Sequence, residues 1–155
     1  MDDATQARVV REVAGLADLV PEDVELGYHL CYGDWGHLHF TEPRDAGNLV
    51  AIANGLAAGV RRPLHWVHMP VPRDRDDDEY FAPLRDLRLE RDTELYLGLV
   101  HYTDGVEGTE RRIDAARRVI RDFGVATECG MGRRPEHQDI AQLLRIHRDV
   151  SDPVR

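Results

Sequence analysis

The chain has 155 residues, 42% hydrophobic and 32% charged, a length that suits one domain spanning 1–155 and able to bury a core without staples. Twenty basic against 29 acidic residues give a formal net charge of -9, which argues against a domain-wide basic face for nucleic acid. No apolar run approaches the ~18 residues of a membrane span, two cysteines make no disulfide scaffold, and the opening MDDATQARVV lacks the regions of a secretory signal, so a cytoplasmic protein with no membrane and no nucleic-acid partner is expected.

In chain order, residues 4–19 place Val9, Val10, Val13, Leu16 and Leu19 at helical spacing. Residues 24–31 (VELGYHLC) read as a strand, 45–60 as a helix rich in small residues, and 63–69 (PLHWVHM) as a second strand. Residues 77–87 form a short helix interrupted by Pro83, after an acidic run at 73–79 that reads as a solvated loop. Residues 94–101 (ELYLGLVH) are the cleanest strand, with Gly98 marking close backbone approach or barrel packing. A helix is predicted over 109–123, with Gly124 placed to stop it. A fourth strand at 125–129 (VATEC) precedes an amphipathic helix over 136–150, with Ile140, Leu143, Leu144 and His147 on one side.

The predicted order is a leading helix and then four βα units, with strand starts roughly 30–40 residues apart, which points to a parallel α/β fold. A (β/α)8 barrel usually takes about 250 residues. Four units therefore amount to half of one. Either the four strands form an open sheet, or two chains combine their halves, or a separate partner supplies the rest.

Chemistry-bearing residues collect at the predicted strand C-termini, the edge where parallel α/β folds bind ligands. His29, Cys31 and Asp34 follow the first strand and His68 the second; His101, Tyr102 and Asp104 follow the third, and Glu128 and Cys129 end the fourth. All twenty basic residues are Arg, which excludes lysine chemistry. His29 and Cys31 lie two apart on a strand, so both side chains leave one face, and a nitrogen and a thiolate so placed suit zinc. Cys129 and His68 extend this candidate set; the alternative is a pair of packed thiols and a satisfied histidine.

Asp34 and Trp35 lie in a Gly-flanked loop, as an acid and an aromatic wall facing substrate or as a turn residue and a packed ring. His37 and His39 alternate in Gly36–Phe40, either as an extension of a metal site or, more commonly for such a pair, as loop histidines with ordinary hydrogen bonds. Arg134, in the cationic loop 130–134, is placed to hold a carboxylate or phosphate, or simply faces solvent. His101 is expected to titrate near neutrality. His137 and His147 are read as structural.

The segment HLCYGDW at 29–35 resembles the H-M-C-Y-S-E-F segment of cobalamin-independent methionine synthases, and CGMGRR at 129–134 is similar to their C-G-L-K-T-R segment. The resemblance implies the C-terminal half of that superfamily's TIM barrel, which also includes uroporphyrinogen decarboxylase, with zinc held by His29, Cys31 and Cys129. The family's glutamate ligand falls on or near His68, and imidazole is also a good zinc ligand. The family's proton-donating histidine aligns loosely with Asp104, a departure from the family pattern.

The family's N-terminal strands, with their amino-acid and folate sites, have no counterpart in these residues. The resemblance thus implies zinc-dependent activation of a small-molecule thiol for alkyl or methyl transfer, not methionine synthesis by this chain alone. Asp34, His101 and Asp104 are candidates for proton transfer, and Trp35 and Arg134 for substrate contact. A homodimer, or a partner supplying the other half-barrel, would cover the exposed sheet. The alternatives are a non-catalytic half-barrel subunit and a metal-free relative of the decarboxylase type.

Overall fold

The computed structural model describes residues 2–33 and 39–151. Helix α1 (Asp3–Ala17) is capped by Asp2, whose carboxylate accepts from the backbone N–H and hydroxyl of Thr5. Then come β1 (Gly27–His29), α2 (Gly47–Gly59), β2 (Trp66–Pro70) and α3 (Asp78–Phe81), which runs into a 3-10 turn at Ala82–Asp86. Strand β3 (Glu94–Val100), α4 (Gly105–Arg117), β4 (Gly124–Thr127), a 3-10 turn at Met131–Arg133 and α5 (Ile140–Val150) complete the order. The strands form one parallel sheet, β1-β2-β3-β4. The α/β class and the four βα units stand as expected.

Right-handed crossovers between sequence-adjacent parallel strands put every connecting helix on one side of the sheet. The strand alternation follows that division. Val67, Met69, Leu95, Leu97 and Leu99 are buried in one cluster with Leu49, Val50 and Ala53 of α2 and Ile113 and Ala116 of α4. Each such leucine, valine or methionine contributes about 1.5–3 kcal/mol when fully buried. His29, Trp66, His68 and Tyr96 line an open groove of about 570 Å³. No helix among the described residues is long and apolar enough to cross a membrane.

Several element boundaries depart from the sequence expectation for physical reasons. Helix α4 begins at Gly105, whose φ of 58° a glycine adopts without strain, and Gly108 leaves room for the Asp104 carboxylate beneath the first turn. It ends at Arg117 instead of 123, because the N–H groups of Arg118 and Val119 bond three residues back and the chain then turns. Gly124 is therefore no helix cap. It opens β4, where the Tyr96 ring occupies the space a side chain would need.

Helix α5 starts at Ile140 behind the Asp139 cap and buries Leu143 and Ile146, leaving Ile140 and Leu144 exposed. Along α1 the buried positions are Ala14 and Ala17, while Leu16 and, just past the helix end, Leu19 face outward. Val10 and Ala14 instead pack on Gly55 and Gly59, which explains the small residues of α2 as a close helix–helix contact.

Gly98 sits where three backbones converge. A Cβ there would lie 2.7 Å from Glu128 Cα, 3.0 Å from the Thr127 carbonyl oxygen and 3.1 Å from Pro70 Cα. None of these atoms can swing aside. Gly98→Ala is therefore expected to lower the unfolding free energy by about 1–3 kcal/mol in urea titrations, whereas Gly130→Ala, with nothing within 4 Å of the new Cβ, leaves it nearly unchanged.

Candidate metal centre

The pairing of β1 with β2 sets the centre. His29 and His68 are register partners, and Leu30 continues the ladder by donating to the His68 carbonyl at 2.9 Å. Cys31 follows at the C-terminal edge, and Cys129 reaches the same edge two residues after β4, where the Thr127 hydroxyl donates to its carbonyl at 3.0 Å. The segment after Cys31 is anchored by Tyr32, whose hydroxyl meets that of Tyr80 at 3.0 Å, and Tyr80 donates to the Pro70 carbonyl. Burial pushes Tyr32 up to about 12.

Ligand atoms of His29, Cys31 and Cys129 all lie within 4.8 Å of one another. His29 Nε2 is 3.7 Å from Cys129 Sγ. Nitrogen and sulfur ligands on one tetrahedral zinc lie about 3.5 Å apart, given their usual bond lengths. Burial holds His29 below its ordinary pKa, so the ring is neutral at neutral pH, as a ligand must be. Neither Cys31 nor Cys129 is in a disulfide. Two thiols and a neutral imidazole at this spacing are a donor set that fits zinc.

His68 lies beside this group. Its ring stacks on His29 with centroids 4.8 Å apart and planes at 19°, and the two Nδ1 atoms are 2.6 Å apart. Burial, followed by repulsion from His29, lowers its pKa to about 4.

A cleft of about 460 Å³ adjoins Cys129, with His39, Arg73, His101, Glu128 and Arg134 among its other walls. Glu128 spans two histidines: one oxygen is 2.7 Å from His39 Nε2 and the other 3.4 Å from His101 Nδ1. His101 Nε2 donates to the Val71 carbonyl at 2.8 Å, which turns Nδ1 toward the carboxylate. Burial and the Arg112 charge lower His101 to about 4, correcting the expectation of titration near neutrality. Burial pulls on His39 too, but Glu42 and Glu128 outweigh it and hold that ring above its ordinary pKa. One carboxylate thus separates a histidine that stays neutral from one that charges readily.

Asp104 clasps Arg112 through bonds of 2.6 and 2.9 Å. Arg112 is 1% exposed and also donates to the carbonyls of Leu99 and Arg73. Burial raises the Asp104 pKa, but Arg112 outweighs it and leaves the carboxyl below its ordinary value. Arg134 lines the cleft while donating to the Gln138 and Met131 carbonyls, which also makes it a brace for its own loop. Asp34, Trp35 and His37 lie outside the described residues.

Sequence reasoning passed over the His39–Glu128–His101 arrangement as a unit, and over Arg112. The available signal was the position of Glu128 immediately before Cys129 at a strand end. Nothing local marked Arg112, whose partners come from three separate segments.

No family model and no curated protein matches the sequence. Among solved structures, the chain is similar to that of a candidate vitamin-B12-independent methionine synthase from Listeria monocytogenes, with a TM-score of 0.57 and 17% identity. The likeness covers 98% of this chain and 43% of that one. At that identity it speaks for the fold, and the chain spans less than half of that protein. The four-stranded parallel sheet is consistent with half of a TIM barrel.

The His101 shift sets a pH dependence. The unfolded chain binds its proton near pH 6.5, the folded chain only near 4. The contribution of neutral His101 to stability is thus full above about 6.5 and is lost as pH falls toward 4. His101→Gln is expected to flatten the stability curve across that window by the slope of one proton, measured by denaturant titration.

Proposed function

We propose that the protein is a zinc-dependent enzyme of the methionine-synthase-like barrel superfamily that activates a small-molecule thiol for alkyl or methyl transfer. The observation that carries this reading is the convergence of His29, Cys31 and Cys129 within 4.8 Å at the substrate-binding edge of a parallel sheet. Zinc held by these three residues would lower the pKa of a substrate thiol and so supply a thiolate nucleophile at neutral pH. His68 and the substrate sulfur are the two candidates for the remaining position.

The chain's own residues carry the other tasks. The cleft beside Cys129 takes the alkyl donor or the body of the thiol substrate. His101, whose Nδ1 faces Glu128, is a candidate for relaying the thiol proton without holding it, and Asp34 is a second candidate for proton transfer. Arg134 and Trp35 contact the anionic and apolar parts of the substrate. Asp104 acts by holding Arg112 behind the cleft wall.

The bare sheet face and the two edge strands call for a partner, and a second copy meets the need most simply. Pairing β1 of each chain with β4 of the other about a two-fold axis gives eight strands and removes both edges. A non-catalytic half-barrel subunit is the second reading, favoured by the chain's matching only 43% of the similar structure.

Metal content and mass in solution test these readings together. About one zinc per chain is expected, lost in Cys31→Ser and Cys129→Ser. The cobalt-substituted protein should change its visible spectrum on titration with 2-mercaptoethanol. Metal without that response favours the non-catalytic subunit, and no metal after reducing, chelator-free purification removes the zinc reading. Separately, light scattering is expected to give twice the 17.6 kDa chain mass; a monomer would exclude closure by self-association.

A further inference from the structure

Building on the zinc reading, we infer that His68 is a positioning residue for His29 and not a ligand, so the fourth metal position is kept for substrate sulfur. An imidazole that binds a metal through one nitrogen carries its proton on the other. In His29 the nitrogen near Cys129 Sγ is Nε2, at 3.7 Å, while Nδ1 lies 2.6 Å from His68 Nδ1. Once Nε2 serves as the ligand, the Nδ1–H of His29 donates to His68 Nδ1.

That bond accounts for both nitrogens of His68. Its Nδ1 lone pair is committed to His29, which fixes its own proton on Nε2. Nε2 is a buried atom with no hydrogen bond of standard geometry. A nitrogen accepting a proton bond cannot also ligate, and a protonated one has no lone pair to give. His68 also stands outside the set of ligand atoms that lie within 4.8 Å of one another.

The strand register brings the two rings side by side. His29 and His68 are paired across β1 and β2, and their rings stack at 19°. The sheet therefore orients the ligand ring before any metal arrives. Two thiolates and one neutral imidazole offset the charge of Zn²⁺, so a substrate thiolate adds without displacing a protein ligand.

X-ray absorption at the zinc edge of the zinc-loaded chain tests this directly. One imidazole and two sulfurs per zinc are expected, with the same count in His68→Gln. Adding 2-mercaptoethanol should raise the sulfur count to three and leave the imidazole count at one. In chelator competition, His68→Phe keeps a stacked ring without an acceptor and is expected to weaken zinc binding about 10–100-fold. His68→Gln, whose amide oxygen can accept from Nδ1–H, should recover most of that loss. Two imidazoles per zinc in the native chain, one of them lost in His68→Gln, would overturn the positioning role and leave the zinc site standing. A native chain that takes up no zinc overturns both.

Discussion

Because every strand lies beside its sequence neighbour and runs in the same direction, each crossover returns on the same side of the sheet. The apolar burial is therefore concentrated on one face, between the strands and helices α2 and α4. The opposite face keeps Trp66, His68 and Tyr96 around an open groove. A doubly wound sheet reverses its strand order, covers both faces and places its ligand crevice at the reversal. Here there is no reversal. The chemistry is instead spread over the C-terminal ends of all four strands, and residues as distant in sequence as His29 and Cys129 become neighbours.

That edge is held in place by a buried cation. Arg112 ties together the end of β3 through Leu99, the segment after β2 through Arg73 and the start of α4 through Asp104. Breaking a buried pair by removing one partner typically costs about 3–5 kcal/mol. Asp104 is partly exposed, so the lower part of that range applies to it. The same cation acts on the cleft at a distance: its charge is the second largest influence, after burial, keeping His101 neutral. Packing and chemistry are joined through one side chain. The family resemblance aligned Asp104 with a proton donor; its geometry explains it first as the clasp that keeps Arg112 buried.

The strands were legible because apolar runs such as ELYLGLV leave little choice in a parallel sheet that is buried on at least one face. Helix ends were less so. Gly105 and Gly108 precede the helix expected over 109–123, yet they open α4, because a left-handed φ and the bulk of the Asp104 carboxylate demand glycine there. Tertiary packing, not periodicity, ends that helix at Arg117 and gives Gly124 to the Tyr96 ring. At the site, the His-x-Cys spacing and the strand-end position of Cys129 were enough to bring three donors together. The contact between His29 and His68 was not, since two residues 39 apart reveal their register only once the strands pair.

Structural zinc sites are closed by four protein ligands, whereas catalytic ones keep a position for water or substrate. The proposed centre falls on the catalytic side of that division for a reason built into the sheet. The side chain that would supply the fourth ligand is already engaged with the third, and Cys129 lines both the 460 Å³ cleft and the groove over the bare sheet face. In the proposed centre, a thiol entering from either space would meet the donors without having to displace one. If a second chain covers the groove, Trp66 and Tyr96 become interior walls and water is excluded from that side. A thiolate in such surroundings loses its hydration shell while keeping its charge, which strengthens every electrostatic interaction it makes. On this reading, closing the barrel and activating the nucleophile are a single requirement, imposed by a sheet that has helices on one face only.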